Sequence, residues 1–336
     1  MKKYLLSWWF IMIILVSGFI LYVIFKPAPV FQASKVVVSP TFEAFYQKKL
    51  MLSQEKKVRR ENQEKLIRYS DGVTEHAILY IHGFGACRAE GEFVTDSISA
   101  RLKANTYYLR LPGHGTNKED HASVNFTDYI SEAEEALAMI PKIGKKTIVI
   151  ATSMGGLLAT YLAAHHPDKV DALILISPFY DYANVAGKLV NIPGMVNLVA
   201  WLDTKGRITL PEDQINKGYI LPEFPDFWYT EQKYEALFSL EDLKDFAATP
   251  EVFQKITSPV LLFYYFKNEQ EQDNTACVKS MLSAFDEFGK TAPHPLNTKV
   301  NIANGDHVMF SKYINNDKEI IFKETFTFLG KVFPIE

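Results

Sequence analysis

The sequence predicts an α/β fold, a mostly parallel sheet with helices on both faces. Three observations carry this. Short runs such as Ala77–Ile81 (AILYI), Thr147–Ala151 and Ala172–Ile176 (ALILI) are apolar throughout, as strands buried on both sides must be. Stretches with helical periodicity follow them, as at Glu92–Leu102, Phe126–Ile140 and Met154–His165. The chain has 336 residues, 48% hydrophobic and 22% charged, enough for one large core plus an insertion.

Residues 1–30 stand apart. Leu5–Phe25 (LLSWWFIMIILVSGFILYVIF) carries no charge. About 21 helical residues at ~1.5 Å each reach roughly 31 Å, the thickness of a bilayer core. The run is longer than a signal-peptide core, and neither a small-residue cleavage site nor a lipobox follows. We expect an uncleaved single-pass anchor, with Trp8, Trp9 and Tyr22 at the interfaces. Lys2 and Lys3 at the start, set against Lys26 and Lys35, favour a cytoplasmic N-terminus and place the rest of the chain outside the cytoplasm.

Residues 31–64 read as a linker and a charged helix. Pro27 and Pro29 just before it and Pro40 within it make a stiff linker, and the helical pattern runs over 43–68. Its excess of Lys and Arg reads as a solvated face, the alternative being contact with anionic headgroups. From residue 65 strands and helices alternate. Strands are expected at Tyr107–Leu111, Val260–Phe266 and Lys299–Ile302 besides those above, and helices at Val278–Phe288 and Lys318–Val332. The alternation breaks between Ser177 and Ser258, where six prolines fall among short helical pieces. This divides the chain into a core, 65–177 and 259–336, and a lid insertion, 178–258, at the strand ends where loops build sites.

Net charge is −3, which excludes a general basic bias towards nucleic acid. The two cysteines, Cys87 and Cys277, form no C-x-x-C, and a disulfide between them is not expected. No histidine spacing suits a metal, and no cofactor is expected.

The chemistry centres on Thr147–Leu158 (TIVIATSMGGLL). A serine between a buried strand and a helix, flanked by small residues at −2 (Ala151) and +2 (Gly155), fits a nucleophile elbow. Ala151 stands where that signature has Gly. Ile81-His82-Gly83-Phe84-Gly85 leaves an earlier strand and can present the Phe84 N–H, together with that of Met154, to an oxyanion. In Leu111-Pro112-Gly113-His114-Gly115, His114 reads as a loop former. A serine needs a base, and His307, in Asn304-Gly305-Asp306-His307 after the last strand, has the right place. Asp306 reads as a loop former. The acid that orients the base should follow Val260–Phe266. Asp273 is our choice, with Glu269 and Glu271 competing and Asp181 more remote.

In this order, HGFG, LPGHG, ATSMGG, the late acid and GDH resemble the α/β-hydrolase superfamily over about residues 65–333. The chain is most similar to its monoacylglycerol lipase and carboxylesterase branch, the serine aminopeptidase-like hydrolases. The resemblance implies an eight-stranded sheet, a lid after the sixth strand and a Ser-His-Asp triad acting on carboxylic esters. The expected function is a serine hydrolase of small or lipid esters. A peptidase, an amidase or an acyltransferase on the same scaffold is the alternative, with a non-catalytic tethered binding protein behind. Trp201, Trp228 and Tyr229 in the lid are candidates for binding an apolar acyl chain, and ordinary lid packing is the competing reading.

Overall fold

One sheet of seven strands organises the chain. The structure, a computed structural model, describes residues 2–24, 28–32, 38–203, 205–208 and 223–334. The strands are β1 (Lys65–Ile67), β2 (Thr74–Ile81), β3 (Asn105–Leu109), β4 (Gly144–Thr152), β5 (Ala172–Ile176), β6 (Val260–Tyr265) and β7 (Thr298–Ile302). Their order is β1-β3-β2-β4-β5-β6-β7. All neighbours are parallel except the edge strand β1, which runs antiparallel to β3 with Leu66 opposite Tyr107.

Both faces of this sheet are dry. Ala77, Leu79 and Ile81 of β2 point to one side, where Phe126–Met139, Met154–His165 and Leu237–Ala247 pack. Ile78 and Tyr80 point to the other, against Glu92–Leu102 and Lys318–Val332. All five are fully buried. Each large apolar side chain taken from water stabilises the fold by about 1.5–3 kcal/mol. This two-sided burial is why the strands read as unbroken apolar runs.

Several expectations need correction. The sheet has seven strands among the described residues, one fewer than the resemblance implies. Ahead of β1 the chain forms the helix Phe42–Glu55, whose Phe42 and Phe45 rings meet Tyr107 of β3 edge-on at 5.4 and 5.5 Å. That helix does not continue to residue 68. Lys57 takes a left-handed conformation (φ 53°), a short turn follows at Arg60–Asn62, and β1 occupies Lys65–Ile67. Nor is it only a solvated face. Phe42, Phe45, Lys49 and Ser53 are buried, and the Lys49 ammonium pairs with Glu132 and Glu135 at 2.6 and 2.7 Å.

At the N-terminus Lys2–Ile24 is helical, and its side chains from Trp8 to Val16 are exposed. Among the described residues no helix is long and apolar enough to cross a membrane, so the expected single-pass anchor lacks structural support. Lys26, Pro27 and Lys35 lie outside the described residues.

Between β5 and β6 the chain forms Met195–Leu202, Leu237–Ala247 and shorter pieces. Arg207–Ile208 pairs antiparallel with Glu231–Gln232, a two-stranded ribbon the sequence did not suggest. Pro211 and Pro222 of the expected lid lie outside the described residues.

Candidate active site

β4 runs into the helix Met154–His165 through Ser153, which has φ 55° and ψ −121°. A non-glycine residue held there costs on the order of 1–3 kcal/mol. The backbone around it is pinned: the Ser153 N–H donates to Ile176 O and the Phe179 N–H to Ser153 O, both at 3.0 Å. The small residues that follow are dictated by close approach. A Cβ on Gly155 would lie 2.3 Å from Ile81 O and 2.5 Å from His82 O. A Cβ on Gly156 would lie 2.8 Å from Pro178 Cβ. Ala151 is fully buried in β4, so the chain accommodates its methyl group.

His307 lies in the loop after β7. Its Nδ1 is 2.7 Å from Asp273 Oδ2. The other carboxylate oxygen of Asp273 accepts the N–H groups of Thr275 and Ala276, each at 2.9 Å. Burial disfavours the His307 imidazolium, but the Asp273 carboxylate outweighs this and raises the pKa above the ordinary 6.5. His307 Nε2 is buried and has no hydrogen-bond partner among the described residues. The competing carboxylates are elsewhere. Glu271 is exposed and pairs with Lys267 at 2.6 Å, Glu269 is exposed, and Asp181 faces Lys188 at 3.5 Å. Asp306 accepts the His307 N–H at 2.5 Å, shaping the loop.

The HGFG turn is held by histidines. His82 Nδ1–H donates to Gly83 O at 2.9 Å, and its Nε2 accepts the Leu111 N–H at 3.1 Å. His114 Nδ1–H donates to Pro112 O at 2.9 Å, and its Nε2 accepts the Gly85 N–H at 3.0 Å. Two neutral imidazoles thus cross-link HGFG and LPGHG. Burial keeps them neutral, lowering His82 to about 4 and His114 well below 6.5. The loop-forming reading of His114 matches this geometry, whereas the part played by His82 was not read from the sequence. His121, in an apparently polar segment, is fully buried and stacks on Tyr229 with ring centroids 5.0 Å apart.

The aromatics of the expected lid divide. Tyr229 braces both loops, its N–H donating to Gly85 O at 2.8 Å and its hydroxyl to Gly113 O at 2.9 Å. Trp228 stacks on Phe224 at 3.8 Å in a cluster with Cys87, Val308 and Tyr313. Trp201 is 76% exposed on Met195–Leu202. Of the expected oxyanion donors, Met154 follows Ser153 at the start of the helix, and Phe84 follows Gly83, whose Cβ position would lie 2.9 Å from Ser153 Cβ. Cys87 and Cys277 are both free. No group of His, Cys, Asp or Glu able to hold a metal occurs among the described residues. A cleft of about 590 Å³ between Leu237–Ala247 and Val278–Glu287, lined by Tyr180, Lys244 and Lys279, includes neither Ser153 nor His307.

Glu90 escaped the sequence reading. It ends the short turn Arg88–Glu90 and is 2% exposed. Its Oε2 accepts the Gly83 N–H at 2.5 Å. A Cβ on Gly83 would lie 2.8 Å from Glu90 Oε1 and 2.9 Å from Ser153 Cβ, so only this glycine separates the two residues. Nothing in the run Arg88-Ala89-Glu90-Gly91-Glu92 distinguishes it from Glu92, which pairs with Arg88 at 3.1 Å.

The model of the alpha/beta hydrolase family matches residues 78–312, and the chain belongs to that family. Among its relatives is the thermostable monoacylglycerol lipase of Bacillus sp. (strain H-257), 27% identical over 186 residues, covering 55% of this chain and 68% of that one. A pimeloyl-[acyl-carrier protein] methyl ester esterase of Vibrio atlanticus is 31% identical over 100 residues, 30% of this chain and 35% of that one. A soluble variant of monoglyceride lipase from Saccharomyces cerevisiae, solved with a substrate analog, has a TM-score of 0.58. That likeness covers 82% of this chain and 92% of that one at 16% identity, and concerns the fold.

Proposed function

We propose that this chain is a serine hydrolase of carboxylic esters acting through Ser153, His307 and Asp273. The observation that carries this is the buried Asp273–His307 pair, with the imidazole Nε2 unpartnered and a serine on a left-handed turn in the same chain. Ser153 Oγ attacks the ester carbonyl while His307 Nε2 takes its proton. The Phe84 and Met154 N–H groups stabilise the oxyanion. The imidazolium then protonates the leaving alcohol, and water repeats the sequence on the acyl-enzyme. Asp273 holds His307 in the tautomer with Nε2 free. Ester hydrolysis by the lipase and esterase relatives supports the substrate class.

The core over 65–177 and 259–336 would carry this site, and the insertion 178–258 would cover it and bind the acyl chain. Attachment to a membrane through the N-terminal helix is a separate part of the proposal. It is favoured by the exposed apolar side chains of Trp8, Trp9, Phe10 and their neighbours, an all-apolar surface unsuited to water. Flotation with liposomes, with and without residues 1–30, tests it; binding that survives the deletion overturns it.

The hydrolase reading is tested with p-nitrophenyl esters from acetate to palmitate. Wild type should turn them over and Ser153→Ala should not. Activity persisting in Ser153→Ala overturns the reading, and strict preference for acetate overturns a lipid substrate.

A further inference from the structure

Glu90 holds a buried carboxyl group that the reaction above does not use. The Gly83 N–H and His307 face it, and Tyr80 and Cys87 feel its charge from the adjoining strand and turn. What it grips matters. The peptide unit that joins Gly83 to Phe84 carries the proposed oxyanion donor as its N–H. The carbonyl of that same unit accepts from His82 Nδ1 at 2.9 Å. The preceding unit is fixed by its N–H, donated to Glu90 Oε2 at 2.5 Å. With both sides of Gly83 pinned, the direction of the Phe84 N–H is set. Gly83 has no side chain to resist rotation, so the clamps supply the rigidity that transition-state stabilisation needs.

We propose that Glu90 is a positioning residue for ester hydrolysis: its carboxyl clamps the Gly83 N–H and thereby aims the Phe84 N–H at the oxyanion. This rests on the serine-hydrolase reading. A neutral carboxyl does this without placing negative charge beside the negative charge that develops on substrate. Burial favours that state, pushing the Glu90 pKa up to about 8. Above it, the carboxylate sits on Gly83, one residue before the Phe84 N–H, and opposes the transition state. Activity therefore declines as pH rises through the Glu90 titration.

The test measures kcat and KM on one p-nitrophenyl ester, across neutral and alkaline pH, for wild type, Glu90→Gln, Glu90→Ala and Ser153→Ala. Glu90→Ala should lower kcat about tenfold or more with KM changed less than about threefold. Glu90→Gln, whose amide oxygen still accepts the Gly83 N–H, should keep kcat within about threefold at neutral pH and lose the alkaline decline. Both variants matching wild type in kcat and pH profile would overturn the proposal, as would a Glu90→Gln that falls as far as Glu90→Ala and keeps the decline. If Glu90→Ala does not fold, the pH profile of the near-isosteric Glu90→Gln decides. A wild type without turnover overturns the hydrolase reading itself, whereas an active wild type with indifferent Glu90 variants overturns only the role of Glu90.

Discussion

Asp273 gives one carboxylate oxygen to His307 Nδ1 at 2.7 Å and the other to two backbone N–H groups at 2.9 Å. Every lone pair that matters is used, so the carboxylate cannot rotate away from the imidazole. Asp273→Asn should therefore favour the wrong tautomer of His307 and lower kcat by about 10²–10⁴. Glu269→Gln and Glu271→Gln, on exposed side chains, should stay within about threefold of wild type. Under the proposed mechanism the same pair sets the acid side of the pH profile. His307 works as a base only when neutral, and its pKa is raised above 6.5. kcat/KM should fall as pH drops through a midpoint above that value, and Asp273→Asn should move the midpoint down.

The histidine latch makes a stability prediction. His82 is neutral in the fold, with its pKa lowered by burial from 6.5 to about 4. The latch stabilises the protein fully above 6.5 and progressively less as pH falls towards 4. At 1.36 kcal/mol per unit the loss amounts to about 3 kcal/mol. Urea unfolding between these pH values should show this slope in wild type and a shallower one in His82→Gln. Equal slopes would contradict it.

The elbow leaves no room at Gly155. Its absent Cβ would meet the backbone oxygens of Ile81, at the end of β2, and His82, just after it, at 2.3 and 2.5 Å, and backbone cannot step aside as a flexible side chain can. Gly155→Ala should destabilise by about 3 kcal/mol or more. Thermal denaturation of the variant measures this.

The loop that carries His307 is tied down by one ammonium. Lys318 Nζ donates to the carbonyls of Met309, Ser311 and Ile314 and to Asn316 Oδ1. Lys318→Met leaves these acceptors unpaired and should cost about 2–3 kcal/mol, with kcat reduced several-fold. Lys323→Met, at a side chain 77% exposed, should stay within about 0.5 kcal/mol of wild type. Denaturant titrations of both variants compare the two directly.

What was legible in the sequence was local. The elbow announces itself because a strand, a tight turn and a helix follow one another within a dozen residues. Met154–His165 and Ala172–Ile176 form over the ranges expected from their patterns. The acid was ambiguous because three carboxylates crowd the five residues 269–273 after β6, and only the turn that returns the Asp273 N–H to Tyr265 O aims one of them at His307. Glu90 was illegible because burial of a charged residue type is a tertiary outcome. The helix expected over 43–68 was overdrawn for the same reason. Its Lys49 finds Glu132 and Glu135 more than eighty residues away, and the Ser53 hydroxyl donates to Glu64 at 2.6 Å.

The most direct test of the central claim is covalent labelling with a fluorophosphonate, which reacts only with a serine activated by a base. Mass spectrometry of the labelled protein should find the adduct on Ser153, and Ser153→Ala and a His307→Ala variant should both take up none. An unlabelled wild type, under conditions that label another serine esterase, would contradict the assignment of Ser153 as a nucleophile.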